Sequence, residues 1–153
     1  MFQQPSNFVP PGRLKEIEGD ISVPTAAGNR IILLPVSSDT ASTDGGTVFK
    51  RWDAASNEYK RWYNVSYGKL DQFMGQIKTA QVQSDTMVAF LLCKNGKKID
   101  YTALEKCLDA VGRESANYSS STIHVSKFGT WKKVESLLDA QLLKRGLNVN
   151  VYI

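Results

Sequence analysis

The sequence predicts an α/β protein in which a largely parallel sheet carries helices on both faces. Three observations carry this. The continuous apolar run Ile31-Ile32-Leu33-Leu34 is the pattern of a strand covered on both sides. Apolar stripes through Val48, Trp52, Ala55, Tyr59 and Trp62, and again through Tyr101, Leu104, Leu108 and Val111, have the spacing of amphipathic helices. Strand-like and helix-like segments alternate along the chain, which favours parallel pairing through crossovers.

Taken in order, residues 1–13 hold three prolines and no periodicity, and read as an N-terminal arm. Residues 14–153 read as one domain. Residues 14–21 alternate as a half-buried strand, 24–29 form a turn-rich connector, and 30–36 are the buried strand. A Ser/Thr/Asp/Gly loop over 37–46 leads into the first helix, whose stripe runs from Val48 to Trp62. Residues 67–74 read as short helix and loop. Strands over 76–83 and 87–94 join through Ser84-Asp85 as a tight hairpin, so one pairing is antiparallel and the sheet is mixed. Asn95-Gly96 marks a polar turn. Asp100 is placed to cap the next helix. After a Ser-rich loop come a strand over 122–125, a turn over 126–130, and a helix through Trp131, Val134, Leu138 and Leu142. Gly146 ends it, and 147–153 alternate as a last strand.

Composition narrows the function. The chain has 153 residues, 42% of them hydrophobic and 22% charged, enough for one core of ordinary globular character. No apolar run is long enough to span a bilayer, and no secretory leader pattern opens the chain. Cys93 and Cys107 fall in apolar segments and read as buried thiols, which suits a reducing, cytoplasmic setting. A single histidine excludes a multi-histidine metal site, and no metal or cofactor is implied. The net charge of +4 suits an anionic ligand but is small for a nucleic-acid surface. The triplets Lys50-Arg51-Trp52 and Lys60-Arg61-Trp62 do not change that. Their ten-residue offset turns roughly 280° around a helix, so they share no single face.

In parallel sheets of this kind ligands sit beyond the carboxyl ends of the strands. Three turns are expected there. Asp20 ends the first strand, where its carboxylate can accept an adenine amine while the Ile21 N–H reads a ring nitrogen. Asp44-Gly45-Gly46-Thr47 precedes a helix, where glycines and free N–H groups favour a phosphate. Ser126-Lys127-Phe128-Gly129-Thr130 precedes the last helix and offers a second set of N–H groups, with Phe128 as a wall. Each turn alone is equally an ordinary connector. Together they describe a site for a nucleoside diphosphate. His124, flanked by Ile123 and Val125 on the opposite face, reads as a packed sheet residue. Tyr152 is either a base-stacking residue or a core aromatic.

As an ordered set these segments resemble the macrodomain family over about residues 14–153, and in particular its terminal ADP-ribose protein glycohydrolase branch. Gly19-Asp20-Ile21 resembles the first-strand signature. Residues 31–38 resemble the second strand, Gly45-Gly46 with Thr47 and Val48 the first phosphate loop, and residues 123–129 followed by Trp131-Lys132-Lys133-Val134 the second. The tyrosine of the last strand is met by Tyr152, and Tyr101 resembles a tyrosine that begins a helix in that branch. The resemblance implies a three-layer α/β/α sandwich that binds ADP-ribose or ADP-ribosylated molecules, with Ser37 and Ser126 to Thr130 among its contacts. Many family members hydrolyse ADP-ribose esters or the 1″-phosphate of ADP-ribose.

The departures bear on catalysis. Ser37 and Ser38 stand where many hydrolytic members carry an asparagine pair. The resembled branch uses a nucleophilic lysine on the middle hairpin, a position that falls on Gln81 by alignment, and an aspartate in a longer second phosphate loop. Here Gly129 passes straight to Thr130 and Trp131. Asp39 or Asp44 could act as a general base on a water. A binder without activity, an ADP-ribosyl hydrolase or phosphatase, and a ligand-free interaction module all remain open on the sequence.

Overall fold

The computed structural model describes residues 10–24, 28–38, 47–65, 73–115 and 121–153. The chain runs β1 (Leu14–Ile17), β2 (Arg30–Ser37), α1 (Thr47–Arg51), α2 (Asp53–Val65), β3 (Ile77–Gln83), β4 (Thr86–Asn95), β5 (Lys98–Ile99), α3 (Tyr101–Ser115), β6 (Thr122–Ser126), α4 (Trp131–Gln141) and β7 (Asn148–Tyr152). Its described strands form one sheet in the order β1-β7-β6-β2-β4-β3, with β5 paired to β4. The β1–β7, β7–β6, β6–β2 and β2–β4 pairs are parallel, and the β3–β4 and β4–β5 pairs are antiparallel. This is the mixed, largely parallel α/β sheet that the sequence predicts.

Side-chain alternation divides the core into two layers. Ile31, Leu33, Leu91, Cys93, Ile123, Val125, Val149 and Val151 pack with Leu104, Leu108, Val134 and Leu138 of α3 and α4. Ile32, Val36, Val88, Phe90 and Leu92 point the other way and pack with Val48, Ala55 and Tyr59 of α1 and α2. β2 and β4 supply residues to both layers because they lie inside the sheet and are covered twice. The result is the α/β/α sandwich.

Local chemistry accounts for the element ends. Asp100 Oδ1 accepts the Ala103 N–H at 3.0 Å, the capping bond its side chain predicts for α3. Gly146 closes the turn after α4 with φ of 85°, a left-handed conformation that glycine adopts without strain. The hairpin at 84–85 is present as expected. Two expectations are corrected. The first strand stops at Ile17, four residues short of position 21, because the backbone swings out at Gly19 (φ 148°) and folds into a turn at Asp20. The helix expected across Val48 to Trp62 is two helices that meet at Trp52, although one apolar stripe continues through both.

Residues 10–13 lie along the domain. The Gly12 N–H donates to the Leu143 carbonyl at 2.7 Å, and the Val149 N–H donates to the Arg13 carbonyl at 2.9 Å. A side chain at position 12 would run into the Leu147 carbonyl, so only glycine permits this approach. No helix among the described residues is long and apolar enough to cross a membrane.

Candidate functional site

Because β1, β7, β6, β2 and β4 run parallel, their carboxyl ends share one rim. The register is direct: Ile17 lies beside Tyr152, which lies beside Ser126. Further along the same rim, Ser37 ends β2 beside Lys94 of β4.

The first turn leaves β1. Gly19 and Asp20 are exposed and Ile21 is buried. Asp20 Oδ1 accepts the Ser22 N–H at 2.9 Å, and the Asp20 carbonyl accepts the Val23 N–H at 2.9 Å. This aspartate-centred turn fixes the carboxylate relative to the backbone. The Ile21 N–H has no acceptor among the described residues.

Tyr152 supports this turn from beneath. A Cβ at Gly19 would lie 3.9 Å from the Tyr152 ring. The Tyr152 hydroxyl is 2.8 Å from His124 Nδ1, and His124 Nε2 is 2.8 Å from Thr122 Oγ1. His124 is fully buried and Tyr152 is 5% exposed, so the tyrosine is held edge and ring within the core layer under Ile21. Burial, with a smaller contribution from the Arg30 charge, pushes the imidazole down to about 4. At neutral pH the ring is therefore uncharged, donating through one nitrogen and accepting through the other.

The second stretch leaves β2. Ser37 is tied into the framework: its Oγ accepts the Gly96 N–H at 3.1 Å and its carbonyl accepts the Tyr59 hydroxyl at 2.7 Å. Ser38 is buried, and its N–H donates to the Lys94 carbonyl at 3.1 Å. Asp39, Asp44, Gly45 and Gly46 lie outside the described residues. Thr47 opens α1, and Val48 is buried in the core beneath it.

The third stretch joins β6 to α4. Ser126 ends β6, Lys127, Gly129 and Thr130 are exposed, and Phe128 is half-buried against the core. Gly129 has φ of 60°. Thr130 is the N-cap of α4 but makes no side-chain capping bond. The N–H groups of Phe128, Gly129, Trp131 and Lys132 find no acceptor among the described residues. An uncapped helix start preceded by two free loop amides is a concentration of donors and partial positive charge that suits an anion. Lys127 Nζ pairs with Glu16 Oε1 at 3.0 Å and sits 5.9 Å over the Trp131 ring, which ties the loop to β1 across the rim.

The structure thus gathers Asp20, Ile21, Ser37, Ser126, Lys127, Phe128, Gly129, Thr130 and Tyr152 around one edge of the sheet. It does not bring Gln81, the position aligned with the branch's lysine, to that edge. Gln81 lies beside Met87, which lies beside Ile31 at the amino end of β2, so it belongs to the opposite rim. Its amide donates there to the Gln83 and Thr86 carbonyls. The hairpin lysine at the site rim is Lys94, half-buried at the end of β4. Its signal in the sequence is a polar residue ending a long apolar strand. Among the described residues no cluster of His, Cys, Asp and Glu is arranged to hold a metal ion. Cys93 and Cys107 are buried free thiols, pushed well above their usual range by burial, to about 12 for Cys93.

No protein-family model matches this sequence, and no curated protein matches it. Solved structures do. A macrodomain protein from Streptomyces coelicolor is 26% identical, with a TM-score of 0.82 over 92% of this chain and 99% of that one. The macrodomain of Mycobacterium tuberculosis DarG is 14% identical, with a TM-score of 0.71 over 92% of this chain and 97% of that one. Thermosipho africanus DarTG, solved in complex with ADP-ribose, is 13% identical with a TM-score of 0.66. It matches 92% of this chain and 41% of that longer one.

Proposed function

We propose that this chain, which has the macrodomain fold, binds ADP-ribose or an ADP-ribosylated molecule at the rim formed by the ends of β1, β2 and β6. One observation carries the reading: the uncapped start of α4, with its four N–H donors, lies on the same rim as the Asp20 turn. The diphosphate would take the donors of the β6–α4 loop. The adenine would lie at the other end, its amine donating to Asp20 and its ring nitrogen accepting the Ile21 N–H. Tyr152 contributes by supporting the turn at Gly19. The neighbour solved with ADP-ribose supports this choice of ligand, as does the resemblance of Gly19-Asp20-Ile21 to the family's adenine-binding signature.

Calorimetric titration with ADP-ribose, ADP and ribose 5-phosphate tests it. ADP should retain much of the ADP-ribose affinity, ribose 5-phosphate little, and Asp20→Ala should lose at least about tenfold, the loss of one charge-assisted hydrogen bond. No heat with ADP-ribose at millimolar concentration would overturn the proposal.

A second reading adds hydrolysis, and the position of Lys94 favours it. The resembled branch uses a hairpin lysine as nucleophile, and Lys94 is the hairpin lysine at this rim. The acid of that branch has no counterpart on the β6–α4 loop, where Gly129 and Thr130 lead directly into α4. Any proton acceptor would come from elsewhere on the rim. Release of ADP-ribose from a mono-ADP-ribosylated protein is the measurement that separates an enzyme from a binder.

A further inference from the structure

We infer that Tyr101 is a positioning residue for the phosphate-facing loop, fixing from the neighbouring helix the amides through which that loop would bind a diphosphate. The inference rests on the ADP-ribose reading above and adds to it a residue outside the three turns.

The geometry is specific. The Thr130 N–H donates to the Tyr101 hydroxyl at 2.8 Å, a bond between segments 29 residues apart. Thr130 is the N-cap of α4, so this bond anchors the point where the loop becomes helix. Gly129, next to it, presses against the same wall. A Cβ there would lie 3.0 Å from the Tyr101 hydroxyl and 3.1 Å from Ile99 Cγ1. The loop therefore rests on the β5–α3 junction through one hydrogen bond and one close approach.

Tyr101 is itself held in place. Asp100 caps α3 through the Ala103 N–H and accepts the Leu104 N–H on its carbonyl at 2.9 Å, which fixes the first turn that carries Tyr101. Lys133 Nζ sits 5.1 Å over the ring. The bond from Thr130, helped by the nearby Lys133 charge, holds the phenol below its ordinary pKa.

The consequence concerns which donors remain. Thr130 spends its N–H on Tyr101, while Phe128, Gly129, Trp131 and Lys132 keep theirs. Binding through preset donors needs little reorganisation, and losing the anchor makes the ligand order the loop at its own expense. Without the Tyr101 hydroxyl the Thr130 amide is also released to compete for the anion in a different loop geometry.

The test is Tyr101→Phe, which keeps the ring and removes only the hydroxyl. Wild-type and variant are titrated with ADP-ribose, ADP and adenosine, and amide hydrogen exchange of residues 127–132 is followed without ligand. ADP and ADP-ribose should bind the variant roughly 5- to 20-fold more weakly. Adenosine affinity should stay within about twofold, and exchange across the loop should accelerate. Unchanged ADP affinity in a variant whose wild-type parent binds ADP-ribose would overturn the inference and leave the binding reading standing. Equal losses for adenosine and ADP would overturn it too, since they mark a general loss of structure. If the wild-type chain fails to bind ADP-ribose, both readings fall, and unchanged loop exchange would remove the structural premise independently.

Discussion

The hydroxyl of Tyr152 and Nδ1 of His124 lie 2.8 Å apart inside the protein, directly under the turn that starts at Gly19. Two strands with neighbouring carboxyl ends thereby become one support for the turn at Gly19 and Asp20. The support works with a neutral imidazole, and that has a measurable cost in acid. The unfolded imidazole takes its proton near pH 6.5, whereas burial and then the Arg30 charge hold the folded group neutral down to about 4. Below 6.5 the unfolded chain binds a proton that the folded chain refuses. Stability is therefore full above that pH and falls as the pH drops towards 4, by about 3 kcal/mol over the window. Denaturant unfolding at several pH values measures this. His124→Gln should be less stable at pH 7 but flatter across the window, and an equally steep profile in that variant would show that another group is responsible.

Gly129→Ala should cost about 1–3 kcal/mol, because alanine at φ of 60° is strained and its Cβ meets the Tyr101 hydroxyl at 3.0 Å. Thermal unfolding should show the loss. ADP binding should weaken further than stability alone explains, since the free amides on either side move with the backbone. A variant as stable as the parent would mean that the loop relaxes away from α3 at no expense.

Asp100→Ala removes the side chain that caps α3 and should lower stability by about 1 kcal/mol. Asp100→Asn and Asp100→Ser should recover most of it, because both keep an acceptor at the cap. Equal losses for all three would point to a role other than capping.

Lys94→Ala should leave ADP-ribose affinity within about threefold, because the adenine turn and the α4 donors do not include it. If the chain releases ADP-ribose from a modified protein, that release should fall at least about a hundredfold in the same variant. Undiminished release would remove Lys94 from the chemistry.

What the sequence made legible follows from the range of the interactions involved. The buried run of β2, the Asp100 cap, the Gly146 stop and the 84–85 turn depend on neighbours in the chain, so their residues announce them. The early end of β1 was hidden because Ile21 is apolar and buried like a strand residue, although the backbone leaves the sheet after Ile17. The Lys94 position was hidden for a different reason. Which end of the hairpin lies on the site rim follows from β4 running parallel to β2, a pairing between residues 56 or 57 apart. Tyr101 reads in the sequence only as a helix start, since nothing local to it reveals Thr130 across the layer.

Among the described strands β1 pairs only with β7, more than 130 residues further along the chain. During synthesis the first strand therefore waits beside the ribosome without a partner until Asn148–Tyr152 has emerged. The loop closure between them is among the longest the fold demands, and such closures come late. If the proposed nucleotide site is correct, retention on an immobilised nucleotide should select chains in which β1 and β7 have already paired.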